Sequence, residues 1–414
     1  MSHASGNFAK RSLTTFTHLL PVQVDWRSPG DIVYSIRDYG DMIADGARMD
    51  AYVRALRQAV KPGSVILDLG AGTGIFALLA CRFGARRVYA VEPGDAIHVA
   101  REIAAANGCA DSIEFFQATS TQVSLPEPAD VIVSDLCGVL PPYQHHLNSI
   151  ADARHRLLAP RGVLIPDRDT VWVACVEALG LFRDIETPWS NNEYGLDMQA
   201  GRRLVSNSSR KVHLKREQLL TEPQRWATLD YWTVETSDLV SEVTLRPTRA
   251  GTAHGLCVWF DSTLARGIQF SNAPGTPTVM YGQAYFPWLE PVQLIAGDTV
   301  TVALGANLVG DDYVWSWESC IRSQGDFRQV KAEFKQSTFL GQMVSPFKLQ
   351  KQAASYIPAL NDDGLIDRLI LQKMGDAVPL GDIARDLALQ HPKRFTRWQD
   401  ALTRVGELSA KYAR

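Results

Sequence analysis

The run Val65-Ile66-Leu67-Asp68-Leu69-Gly70-Ala71-Gly72-Thr73-Gly74-Ile75 constrains this chain more than any other stretch. An apolar, β-branched start halts at three alternating glycines and resumes as Ile75-Phe76-Ala77-Leu78-Leu79-Ala80. That pattern reads as strand, tight loop and helix, with the loop backbone brought close to a ligand. Eighteen residues beyond Gly74, Glu92 closes a second apolar run, Arg87-Val88-Tyr89-Ala90-Val91. A doubly wound sheet sets a carboxylate against a ribose diol at this point. A glycine triplet alone is weak evidence, but glycines and acid together mark a nucleotide-type cofactor pocket.

The rest of the chain alternates in character. The pattern over 31–60 is helical, with Met42, Ile43, Tyr52, Val53, Leu56 and Val60 near one face and Asp45 and Arg48 beside it. Strand and helix signals then alternate over 65–69, 75–83, 88–91, 96–106, 113–116, 131–134, 145–158 and 163–165. Such alternation implies parallel strands joined by right-handed crossovers, with ligands at the carboxyl ends of the strands. After Pro166-Asp167-Arg168 come short β-rich runs at 170–176, 229–234, 241–245, 255–260, 267–270, 278–286, 292–295, 299–304 and 313–321. These predict an antiparallel barrel or sandwich, interrupted by a helix-and-loop insertion over 180–223. Apolar spacing over 345–414 predicts a small helical module of winged-helix-like outline, and 1–30 an N-terminal arm.

A chain of 414 residues is long enough for two or three domains. Its formal charge of -3 argues against a general binder of nucleic acid or anionic membrane. Cys81, Cys109, Cys137, Cys175, Cys257 and Cys320 show no Cys-x-x-Cys spacing, so reduced thiols in a cytoplasm are expected rather than a disulfide frame or a metal site. No stretch has the uninterrupted apolar length that spans a bilayer.

From about 34 to about 321 the sequence resembles the protein arginine methyltransferase family. Four pieces carry the likeness: Met42-Ile43-Ala44-Asp45 through Arg48 to Tyr52; the glycine loop with Gly84-Ala85-Arg86-Arg87-Val88 and Glu92; Leu158-Ala159-Pro160-Arg161-Gly162 with Ile165-Pro166-Asp167-Arg168; and Tyr194-Gly195-Leu196-Asp197-Met198. The resemblance implies a Rossmann-like S-adenosylmethionine domain over 31–166 and a β-barrel substrate domain over 167–322. The insertion would be a helical arm through which the protein forms a homodimer. Among the cofactor's ligands it implies Glu92 for the ribose, Gly70, Gly72 and Gly74 beneath the methionine part, Arg48 for the carboxylate, and Met42 beside it. Asp68 would orient the loop or accept from the ammonium, and Thr121 stands where relatives often carry an acid near the adenine. Read without the family, Arg48 is an exposed helix arginine paired with Asp45 or Asp50, worth little to stability.

The departures concern the acceptor. In the family a loop after the fourth strand carries two glutamates that clamp a guanidinium. Here it runs from Ser134 to Leu147, with Asp135 in place of the first glutamate and Gln144 in place of the second. One missing ionic hydrogen bond of this kind costs about 1.5 to 3 kcal/mol. A threonine-histidine-tryptophan triplet of the barrel becomes Val279-Met280-Tyr281. An acceptor other than ordinary protein arginine is therefore expected: a nitrogen, or less readily an oxygen, of a small molecule, biosynthetic intermediate or peptide. Asp135, Gln144 and Tyr281 are the candidates to hold it. The bland alternatives are Asp135 as a helix cap, His145 and His146 as solvated or capping residues, and Trp288 as barrel core. Two other readings stand beside this one: a divergent protein arginine N-methyltransferase, and a cofactor-binding pseudoenzyme that serves protein recognition.

Overall fold

The computed structural model describes residues 34–324 and 329–413, and the arm expected over 1–30 lies outside them. The described residues up to 342 form one compact unit and those from 343 a second.

The first unit opens with α1 (Ile36–Ala44) and α2 (Gly46–Ala59), two helices where the sequence suggests one. The break falls at Asp45, whose backbone leaves the helical region and whose Oδ1 accepts from Arg48 N at 3.2 Å, capping α2. The α/β layer follows: β1 (Val65–Leu69), α3 (Ile75–Arg82), β2 (Arg87–Val91), α4 (Ala96–Ala106), β3 (Ile113–Phe116), β4 (Ala129–Ser134), α5 (His146–Arg156) and β5 (Leu158–Ile165). Its strands are parallel in the order β3-β2-β1-β4-β5. Every residue of β1 is buried, as befits a central strand covered on both faces. The chain leaves β1 toward β2 and β3, then returns to β4 on the other side. The carboxyl ends of β1 and β4 are thus the switch point where such sheets hold ligands.

Two antiparallel sheets complete the unit. One contains β6 (Arg168–Val176), β7 (Arg210–Val212), β8 (Gln224–Asp230), β10 (Gly251–Ala265), β11 (Ile268–Ser271) and β12 (Gln283–Leu294); the other contains β9 (Leu239–Leu245), β13 (Thr299–Val309), β14 (Asp312–Arg322) and β15 (Val330–Ser337). Several strands differ from expectation. The run at 229–234 is the end of β8 and a turn, with Thr233 N and Val234 N donating to Asp230 O. The runs at 278–286 and 292–295 are one strand, preceded by a loop. β12 runs through Pro287 and Pro291: Pro287 registers with Gly255, and Pro291 falls where the ladder with β10 shifts between Ala253 and Gly255, a bulge that tolerates proline. The barrel sheet also continues beyond 322: β15 pairs with β14, and its pattern was opaque because charged Lys331, Glu333 and Lys335 line an edge strand. A single core runs from Tyr52 and Leu56 on α2 to Phe260 on β10 and Trp288 on β12, and Trp288 is fully buried with Nε1 donating to Ser319 Oγ.

The insertion consists of α6 (Leu179–Ser190) and α7 (Gln199–Val205), joined by the Arg202–Glu186 ion pair. It rejoins the barrel through β7, earlier than the sequence suggests. The second unit comprises α8 (Pro346–Gln352), α9 (Asp362–Gly375), α10 (Leu380–Gln390) and α11 (Trp398–Tyr412). The last three enclose their own core of Ile366, Ile370, Ile383, Leu387, Val405 and Leu408. Its described residues form no strand, so the unit has no wing.

Candidate active site

The three loop glycines all have positive φ, +77° at Gly70, +53° at Gly72 and +82° at Gly74, which side chains rarely adopt. Space forbids a substituent as well. A Cβ on Gly70 would collide with Leu136, and one on Gly72 would lie 2.5 Å from Tyr39 Cε1. Beneath the loop, fully buried Asp68 accepts from Ala77 N with Oδ2 at 2.8 Å, while its Oδ1 has no hydrogen-bond partner. Burial pushes its carboxyl up to about 7. An orphaned buried acceptor beside a glycine cradle fits a ligand ammonium. Glu92 lies at the rim, accepting from Gly72 N at 3.0 Å and from Gly94 N at 2.7 Å, with desolvation raising its pKa.

At the end of β4 a second group closes the site. Arg48 is buried, its guanidinium over the rings of Tyr52 and Phe76 at 5.4 and 5.6 Å. Its Nε donates to Asp135 Oδ2 at 2.6 Å and to the Tyr281 hydroxyl oxygen at 3.0 Å; Nη2 also donates to Asp135, and Nη1 to the Met42 carbonyl at 2.9 Å. The Tyr281 hydroxyl in turn donates to Asp135 Oδ1 at 2.6 Å. Its ring is held by Phe270, stacked at 5.9 Å, and by the edge of Phe260 at 5.4 Å. The reading of Arg48 as an exposed arginine paired with Asp45 or Asp50 is overturned, because the side chain is buried and its acid is Asp135. Asp135 is likewise no helix cap: both carboxylate oxygens serve Arg48 and Tyr281.

Met42, Arg48, Asp135 and Tyr281 therefore meet, as do Gly72 and Glu92. Gln144 and Thr121 do not join these contacts. Gln144 is half-buried with φ of 43°, and Thr121 is exposed with Oγ1 3.1 Å from Thr119 Oγ1. His145 is exposed beside Asp311 at 3.0 Å, whereas buried His146 has Nδ1 2.9 Å from the Pro141 carbonyl and a pKa lowered by burial. The sequence reading missed three contributors. Tyr39 covers Gly72, and its hydroxyl pKa is pushed up to about 12 by burial and then by Glu92. Asp45 Oδ2 accepts from Met280 N at 2.7 Å, tying the start of α2 to the loop that carries Tyr281. Tyr52 donates to the Ser134 carbonyl at 3.0 Å. Asp45 stands just before a helical run, a cap signal; Tyr39 and Tyr52 carry none, since their partners are remote in sequence.

Residues 167–318 match the model of the arginine methyltransferase oligomerization subdomain, and 50–166 that of the ribosomal protein L11 methyltransferase. The protein arginine N-methyltransferase 6 of Danio rerio is 31% identical over 278 residues, covering 62% of this chain and 79% of that protein. The chain belongs to the protein arginine N-methyltransferase family. It is accordingly an S-adenosylmethionine-dependent methyltransferase. The probable protein arginine N-methyltransferase 6 of Arabidopsis thaliana is 31% identical over 247 residues, and this methyltransferase spans 55% of its length. Among solved structures, the Trypanosoma brucei PRMT1 enzyme-prozyme heterotetrameric complex with AdoHcy aligns with a TM-score of 0.66 at 24% identity, covering 72% of this chain and 96% of that one. Arabidopsis thaliana protein arginine methyltransferase 10 aligns with a TM-score of 0.65 at 24% identity, covering 73% and 97%. Both have the fold described above, a parallel α/β layer with a barrel.

Proposed function

We propose that this methyltransferase transfers a methyl group from S-adenosylmethionine to a nitrogen, or less readily an oxygen, of an acceptor other than ordinary protein arginine. The observation that carries the reading is the buried Arg48–Asp135–Tyr281 cluster, at the strand end where the sheet holds its ligand. The cofactor pocket is assigned to Gly70, Gly72, Gly74, Glu92, Asp68 and Arg48, with Met42 at its edge and Thr121 toward the adenine. Asp68 Oδ1 suits an ammonium, and the Glu92 carboxylate a ribose diol. When bound, the cofactor supplies an electrophilic methyl on a sulfonium. Asp135 then orients the nucleophile and takes its proton, Tyr281 fixes the Asp135 carboxylate, and Gln144 offers a neutral amide to the remainder of the acceptor. Tyr39 helps to exclude water from the glycine loop.

The α/β layer would bear the cofactor and the barrel the acceptor. The arm formed by α6 and α7 exposes Leu179, Tyr194, Leu196 and Met198, an apolar display suited to a second copy of the chain, so a homodimer is part of this reading. A cytoplasmic setting belongs to it too, in keeping with six unpaired thiols. No helix among the described residues is long and apolar enough to cross a membrane.

The deciding experiment is incubation with labelled S-adenosylmethionine and an extract of the source cells, with the labelled product identified by mass spectrometry. A labelled small molecule or non-arginine site supports the reading. Label found on protein arginine would return the protein to its relatives' named chemistry, and cofactor binding with no turnover would favour a pseudoenzyme.

A further inference from the structure

The loop from Ser134 to Leu147 holds one carboxylate, and each of its oxygens already accepts a hydrogen bond. Asp135 Oδ2 takes Nε and Nη2 of Arg48, while Oδ1 takes the Tyr281 hydroxyl at 2.6 Å. The pair is withdrawn from solvent, with side-chain exposures of 4% for Arg48 and 9% for Asp135. Their charges cancel inside the cluster. A guanidinium binds a carboxylate best as a fork, two parallel N–H bonds to two free oxygens, and brings a positive charge that a desolvated site must neutralise. Neither the loop nor the barrel triplet meets these demands: the second loop position is the neutral Gln144, and Met280 contributes only its backbone N–H, already given to Asp45. An oxygen that accepts one hydroxyl keeps a second lone pair, so Asp135 Oδ1 retains room for one further donor.

We propose that the Tyr281 hydroxyl on Oδ1, beside Arg48 on Oδ2, sets the acceptor class, the two together closing Asp135 to a forked cation and leaving one Oδ1 lone pair to an uncharged nucleophile that offers a single N–H or O–H. The inference rests on the methyltransferase reading above and names the chemistry of its acceptor. The balance of the step follows. The nucleophile's lone pair forms the new bond to the methyl carbon, the carbon–sulfur pair goes to sulfur, and the nucleophile's proton passes to Asp135. Tyr281 acts through Asp135 and is a positioning residue. Its ring is also core, packed on Phe260 and Phe270, so the test must separate hydroxyl from ring.

Tyr281→Phe does so by keeping the ring, and Tyr281→Met, apolar, adaptable and without a donor, serves if the phenylalanine variant folds poorly. Full-length wild type and variants are titrated calorimetrically, first with AdoHcy and then, with AdoHcy bound, with an arginine tripeptide and a matched glutamine tripeptide. The variants are expected to gain roughly tenfold or more in affinity for the arginine tripeptide, the worth of one freed charge-assisted hydrogen bond, and nothing for glutamine. A packing role alone predicts no gain. Intact AdoHcy binding with equal arginine affinity in wild type and variants overturns this inference alone. Failure of wild type to bind AdoHcy overturns the methyl-donor reading, and this inference with it.

Discussion

Asp68 shows how much one side chain can report. Its carboxyl is pushed up to about 7 by burial, above its value in an unfolded chain. The native protein therefore holds that proton more tightly than the unfolded one. The resulting contribution to stability is fully present below the ordinary carboxylate range and is lost as pH rises through about 7. A ligand ammonium at the orphaned Oδ1 favours the ionised form, so binding in this window should release a proton. Calorimetric titration with AdoHcy at about pH 6.5, in two buffers of different ionisation enthalpy, should give net release that fades by about pH 8. Uptake, or no transfer at either pH, would remove Asp68 from the ammonium's site. The glycine loop is tested at the same scale. Gly72→Ala places a Cβ 2.5 Å from Tyr39 at a φ of +53°, and AdoHcy affinity should fall at least about tenfold, while the same change at Gly406, where a Cβ meets nothing within 4 Å, leaves it unaltered.

At the scale of elements, the join between α1 and α2 matters most. Asp45 caps α2 through Arg48 N and holds Met280 N of the barrel loop. Asp45→Ala should cost about 1 to 2 kcal/mol in denaturant unfolding for the cap and leave the Met280 N–H unpaired. Because that loop carries Tyr281, methyl transfer should fall further than stability alone explains; a loss of stability with turnover unchanged would reduce Asp45 to a cap. The α/β elements were legible because β1 and the glycine loop carry their pattern locally: hydrophobic run, breaker, hydrophobic run. The barrel was legible in kind and misread in detail. β15 hides behind Lys331, Glu333 and Lys335, and β12 continues past two prolines, the second of them where its ladder with β10 shifts register.

At the scale of the whole molecule, the exposed apolar residues of the α6–α7 arm predict an oligomer. Light scattering at micromolar concentration should give twice the chain mass, and Leu196→Asp with Met198→Asp should give the monomer. A wild-type monomer would oppose the arm's role. The amino-acid sequence by itself determined the cofactor half, since Gly70 to Gly74 and Glu92 lie within about two dozen residues and their spacing is set by one strand–loop–helix–strand unit. It also named Asp135 and Tyr281 as the points of departure. Only the tertiary structure decided what those residues meet. Arg48, Asp135 and Tyr281 come from a helix, a strand end and a barrel loop, and the bonds that join them depend on how the α/β layer packs on the barrel, which no local pattern encodes.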